Sequence, residues 1–437
     1  MRRILGAALV FLGVFGLYLA NLPFDYSKNL STHSPRRLLT TGDTVGTTFL
    51  PYLILKHNTF DYTEILDSLS KYIPVKKYYV IPINDGFYPK YPMLTGFLAL
   101  PLYVVPILLH KIPNLDTMQN VYKVLFLGRV SAAFYASISV AIFYLILEFL
   151  RNKHASKYSK KLMYLFLFSF AFGSNVWTIS SRSLWMHTTS QVFISLAVYL
   201  LLLGLKNERY IPVTGLLAGL AVLARPTNFV FAAIMALYIL FNHRKKLVPF
   251  VLWVLPTIFL YFLQNKVLYG NFLIEGYQLG DKIRFDTPLL EGLSGLLFSP
   301  GKGFLFVMPL IFVGLFELVK TLLKRNKNRT DILLSYLGLT FIVSLLLMSR
   351  WRGWDGADRF GPGLLTEYIP ILAVFSFLLL SRYLKKFRKS TIIILLVLTT
   401  YSFLIHFNAV VFRKSRCSTE HNWTFYCLSP PKRLPKY

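Results

Sequence analysis

Read from Met1, the chain alternates apolar runs of nearly twenty residues with short polar segments rich in Lys and Arg. Runs of that length match the ~20 residues a helix needs to cross the hydrocarbon core. They predict spans at about 4–22, 121–149, 162–180, 188–205, 226–242, 247–265, 303–322, 332–349, 363–381 and 391–412. Two further apolar segments are shorter. MLTGFLALPLYVVPILL (93–109) contains Pro101 and Pro106, each of which removes a backbone donor and should break a helix. The other, Ile211 to Ala224, continues through Arg225-Pro226 into the next run.

Loop charge sets the topology, because short loops rich in Lys and Arg stay cytoplasmic. With 93–109 lying in the outer interface and 211–224 crossing, five basic loops fall inside together with Arg2 and Arg3: 151–161, 206–209, 243–246, 324–329 and 382–389. If 93–109 crossed, all five would turn outward. The expectation is an all-α polytopic protein of about 11 transmembrane helices, N-terminus cytoplasmic and C-terminus outside. A transmembrane domain over 1–412 would be followed by an extracytoplasmic tail, 413–437, and a long outer first loop, 23–120, would carry interfacial helices. The first run lacks a small-x-small cleavage site and is expected to remain as a span.

Composition agrees. At 55% hydrophobic and 15% charged residues, the chain holds more apolar surface than a soluble domain could bury. The formal charge of +29 lies between apolar runs, which points to membrane topology and away from nucleic acid. Of nineteen acids, only Glu148, Glu208, Glu317 and Asp331 fall on the predicted cytoplasmic side, so acid-base chemistry belongs to the outer face. Ionisable residues inside spans are costly and usually functional. Arg129 and Glu367 sit only roughly 8–9 Å below the outer end of their spans, at 1.5 Å per residue, and none lies near the midplane. A coupled transporter would need mid-depth polar groups and repeated halves. A transporter or flippase for a lipid-linked or polar solute is therefore the alternative function.

The outer boundary gathers Arg182, Arg225, Lys302, Arg350, Arg352 and Arg359, with Trp185, Trp351 and Trp354 among them. Arg forks suit phosphate, and Trp favours the headgroup level. The same cations could serve only to attract anionic lipid headgroups. In TTGDTVGTT, Gly42 and Gly46 allow close backbone approach around Asp43, whose carboxylate is either a base for an alcohol or the N-cap of the run that follows. Asp85, in NDG, reads as a turn residue or a substrate ligand.

An N-terminal span, a long outer loop with an early Asp, a YPKYP element leading into an interfacial helix, and GLLAGLAVLARPTN (215–228) together resemble the GT-C superfamily. These are integral-membrane glycosyltransferases that use polyprenyl-phosphate sugars. The chain is similar to the branch that contains protein O-mannosyltransferases and the lipid-A aminoarabinose transferase. GNFLIEGYQLG, LLEGLSGLLFSPGKGFLF and WRGWDGADRFGPGLL add to the likeness. The resemblance implies inverting transfer from a polyprenyl-phosphate sugar to a lipid, glycan or protein hydroxyl at the outer face, with Asp43 as catalytic base. A phosphodiester is a good leaving group, so one carboxylate suffices where a glycoside hydrolase needs two. Many members carry a second acid in the next outer loop, but SNVWTISSRSLWMHTTSQ offers Arg182 and His187 instead. No metal or other cofactor is therefore expected, and His187 is a candidate for proton handling or acceptor binding. Arg359 and Lys302, then Arg225, are the expected phosphate ligands. Glu275, Asp355 and Asp358 join Asp85 as candidate substrate-binding acids. Cys417 and Cys427 flank Asn422-Trp423-Thr424 in the tail, a spacing that suits a structural disulfide, with Asn422 a possible glycan acceptor, and not a zinc site.

Overall fold

The computed structural model describes residues 2–20, 42–73, 79–109, 111–112, 114–153, 159–280, 284–356, 359–386 and 388–411. Asp358, Cys417, Asn422 and Cys427 lie outside them. Seven helices among the described residues are long and apolar enough to cross a membrane: Arg2–Ala20, Met118–Asn152, Met186–Gly204, Arg244–Tyr269, Arg329–Arg350, Gly363–Tyr383 and Lys389–Val411. The other four predicted spans are helical over shorter lengths. Ser159–Phe172 gives way at Gly173-Ser174 to a π-helical turn, Val176–Ser180. Thr214–Ala224 stops before Arg225, whose extended backbone (φ −150°, ψ 112°) is the conformation a following proline favours. Pro226–Asn242 begins as a 3-10 turn. The run at 303–322 is not one helix but three pieces, Phe304–Val307, Pro309–Phe312 and Gly314–Leu323. Met308 leaves helical geometry (φ −139°, ψ 59°), and Pro309 has no N–H to continue the ladder. The protein is an all-α multi-pass membrane protein.

The chain divides into two compact units. One, here the Asp43 unit, comprises Phe11–Ser139 and Ser180–Ile283; the other, the Arg359 unit, comprises Met1–Val10, Val140–Ile179 and Arg284–Tyr437.

In the Asp43 unit the long segment after the first helix contains helices Thr44–His57 and Thr63–Tyr72, a hairpin of Val80–Ile83 with Gly86–Pro89, and helix Leu94–Leu108. Asn84 takes a left-handed conformation at the hairpin turn (φ 50°). The Asp61 carboxylate locks the hairpin to the chain before it, accepting from the backbone N–H groups of Thr63 and Phe87, both at 2.9 Å. Burial alone would raise its pKa, but these bonds and one from the Thr63 hydroxyl outweigh it and hold the carboxyl low. Leu50, Ile81, Met93, Leu268 and Tyr269 form the core beneath the loop.

Leu94–Leu108 was expected to break at its prolines, yet it runs through both. Side-chain bonds brace it: Tyr103 donates to the Thr48 carbonyl at 3.0 Å, and Tyr135 to the Leu98 carbonyl at 2.5 Å. One face (Thr95, Gly96, Ala99, Tyr103, Ile107) is buried, while Val105, Leu108 and Leu109 are exposed and apolar. At fifteen residues it is shorter than a span needs. Further along, Gly215 and Gly219 let Thr214–Ala224 press against Leu247–Tyr269. A Cβ at these positions would stand 2.2 Å from the Phe250 carbonyl oxygen and 1.9 Å from the Thr257 hydroxyl.

In the Arg359 unit, Asn328 and Asp331 close a reciprocal capping box at the start of Arg329–Arg350. The buried Glu317 receives both forks of Arg382, at 2.8 and 3.0 Å. LLEGLSGLLF, between two of the predicted spans, is a ten-residue helix, Leu289–Phe298.

Candidate functional site

Asp43 stands just before Thr44–His57, where a carboxylate would cap the helix, but its side chain makes no capping bond to that helix. Its Oδ1 accepts a hydrogen bond from the Tyr91 hydroxyl at 3.0 Å. Tyr91 belongs to YPKYP, which is fixed on three sides. Lys90 N–H donates to the Tyr79 carbonyl at 3.0 Å, and the Tyr269 hydroxyl donates to the Pro89 carbonyl at 2.8 Å. Gly276 packs directly on Lys90, where a Cβ would lie 2.3 Å from the carbonyl oxygen.

The segment with Arg182 and His187 docks on the same helix. One turn after Asp43, Thr47 donates its hydroxyl to the Leu184 carbonyl at 2.5 Å. Thr188 holds the turn closed through the Ser180 and Ser183 carbonyls at 3.0 and 3.3 Å, and Thr189 pairs with Thr95 at 2.7 Å. His187 is buried with its ring centroid 3.7 Å from that of Trp185. The next residue back, Met186, accepts a bond at Sδ from Tyr277, at 3.3 Å. The ring of Tyr277 meets that of Tyr91 edge-on at 5.3 Å. Chain segments around residues 43, 91, 186 and 277 are thus joined by direct contacts.

Arg182 and Arg225 are both buried in this unit. Lys90, which the sequence reading does not single out, is also a buried cation here, 3% exposed, with Nζ 5.7 Å from the Tyr91 ring centroid. Its signal in the sequence is a lysine between two Tyr-Pro pairs. Glu275 is half-buried and accepts from Tyr261 at 3.0 Å; burial raises its pKa and the Tyr261 bond draws it partly back. Asp85 lies at the exposed hairpin tip, the place its turn reading gives it.

The other candidates belong to the Arg359 unit. Lys302 is fully buried, and its ammonium donates to the Arg359 carbonyl at 2.5 Å, so it shapes the turn from which Arg359 extends. Asp355 is partly exposed nearby in sequence. Arg352, grouped with the phosphate-facing cations, instead pairs with Asp286 at the surface, at 3.1 and 2.5 Å. Among the described residues, no three His, Cys, Asp or Glu gather as a metal site would require.

No family model and no curated protein matches the chain. Solved structures do. ArnT from Cupriavidus metallidurans bound to undecaprenyl phosphate aligns with a TM-score of 0.54 at 12% identity, over 94% of this chain and 69% of that one. The same protein in its apo state aligns with a TM-score of 0.44 at 12% identity, over 78% and 55%. Likeness at this identity speaks to fold alone: this multi-pass chain has the fold of the undecaprenyl-phosphate-bound ArnT structure.

Proposed function

We propose that the protein transfers a sugar from a polyprenyl-phosphate donor to an acceptor hydroxyl at the outer face of the membrane, with inversion. The observation that carries this reading is the use of Asp43: it occupies a cap position without capping, and is held by a side-chain donor from a different loop. In this reading Asp43 takes the acceptor proton as the hydroxyl oxygen attacks the anomeric carbon. The bond from that carbon to the phosphate oxygen breaks, and its electron pair leaves on the polyprenyl phosphate. Lys90, Arg182 and Arg225 supply positive charge in the unit that holds the base. Arg359, from a turn shaped by Lys302, is a further proposed phosphate ligand. The ArnT structure, bound to undecaprenyl phosphate, supports a lipid-phosphate ligand for this fold.

The test is transfer by the purified protein from a panel of labelled polyprenyl-phosphate sugars. Asp43→Asn, nearly isosteric but not basic, should lose about a hundredfold or more in turnover while keeping donor binding. Near-normal turnover of this variant would remove Asp43 as base.

A further inference from the structure

We infer that Tyr91, braced by Tyr277, is the positioning residue for Asp43; the inference rests on the transferase reading above. A general base works only when its carboxylate faces the acceptor hydroxyl within hydrogen-bond reach. Asp43 stands at the cap position of Thr44–His57 without capping it, and the Tyr91 hydroxyl donates to its Oδ1. Phenylalanine would pack as well in that buried position, so the hydroxyl is the part of Tyr91 that packing does not explain. The ring cannot drift. Tyr277 stands against it edge-on at 5.3 Å, and the backbone beneath is pinned through Pro89 and Lys90. Tyr277 in turn bonds Met186, the residue before His187, so a shift in the GYQLG segment would reach the base through two rings. Edge-to-face pairs of this kind add rigidity beyond the area they bury.

The experiment measures kcat and donor KM for wild type, Tyr91→Phe, Asp43→Asn and the double variant, with melting temperatures alongside. Tyr91→Phe should lower kcat by about ten- to a hundredfold, the size of a lost hydrogen bond to a charged group, with donor KM nearly unchanged. In the Asp43→Asn background the same change should cost nothing more, because a residue that acts through the base has nothing left to act on. Losses that multiply in the double variant would show an independent structural role and overturn the inference. Tyr277→Ala keeps the Tyr91 hydroxyl and removes its brace. Its smaller loss in kcat should likewise vanish on Asp43→Asn, and a multiplied loss would again count against the inference. Transfer by wild type with Tyr91→Phe equally fast would overturn this inference alone. No transfer by wild type from any donor would overturn both it and the transferase reading.

Discussion

A carboxylate that caps a helix contributes about 0.5–2 kcal/mol to stability. Asp43 makes no such bond to its helix. Asp43→Ala should therefore not show the loss of melting temperature that removing a cap would cause, while turnover collapses, and a large drop in melting temperature would return Asp43 to a structural role. Arg359 poses a different problem, since a cation near a membrane surface can act through charge alone. Its fork can hold two phosphate oxygens at once, which lysine cannot. Arg359→Lys should weaken binding of a polyprenyl-phosphate donor by about ten- to a hundredfold, the equivalent of about 1.5–3 kcal/mol. Lys245→Ala, at an exposed basic loop, should leave it unchanged. Equal affinities for all three proteins, measured in one detergent at fixed ionic strength, would take Arg359 out of phosphate binding. Its carbonyl, held by Lys302, would then be its main structural use.

Among the elements, the glycine face of Thr214–Ala224 makes the sharpest test. Gly219→Ala must push Thr257 aside, whereas Gly16→Ala on the first helix meets nothing within 4 Å. The first should lower the melting temperature, consistent with an overpacking cost of about 1–3 kcal/mol, and the second should be silent. Similar melting temperatures for the two variants would mean that the two helices separate easily. The same elements show what could be read in advance. Long apolar runs announced their helices because hydropathy and length are properties of consecutive residues. The hairpin at 80–89 was seen only as the NDG turn, since four-residue strands leave too short a pattern. Leu289–Phe298 was too short to register as a span. The break at Met308 depends on backbone angles that hydropathy does not report, although Pro309 and Gly314 marked the place. Asp43 stood out by its position in the chain. Its partner Tyr91 did not, because forty-eight residues separate them and only the folded loop brings them together.

For the whole molecule, everything proposed for the outer face depends on which side of the membrane each loop occupies. The formal charge of +29 provides the reasoning: with Leu94–Leu108 on the surface and not across it, the basic loops share one side. The helix is fifteen residues long and exposes an apolar edge, which suits a segment lying in the interface. Two exposed positions in the Asp43 unit, Asp85 and Asn271, should then be reached from outside, and the exposed Asn207 and Lys245 only from the cytoplasm. Single cysteines at these four positions, in a background with Cys417 and Cys427 replaced by serine, can be tested with an impermeant maleimide on intact cells. Positions 85 and 271 should label at once, and 207 and 245 only after permeabilisation. If 207 and 245 label on intact cells while 85 does not, the orientation is reversed. Asp43, which shares its loop with Asp85, would then face the cytoplasm, and a transferase working on the outer surface could not use it.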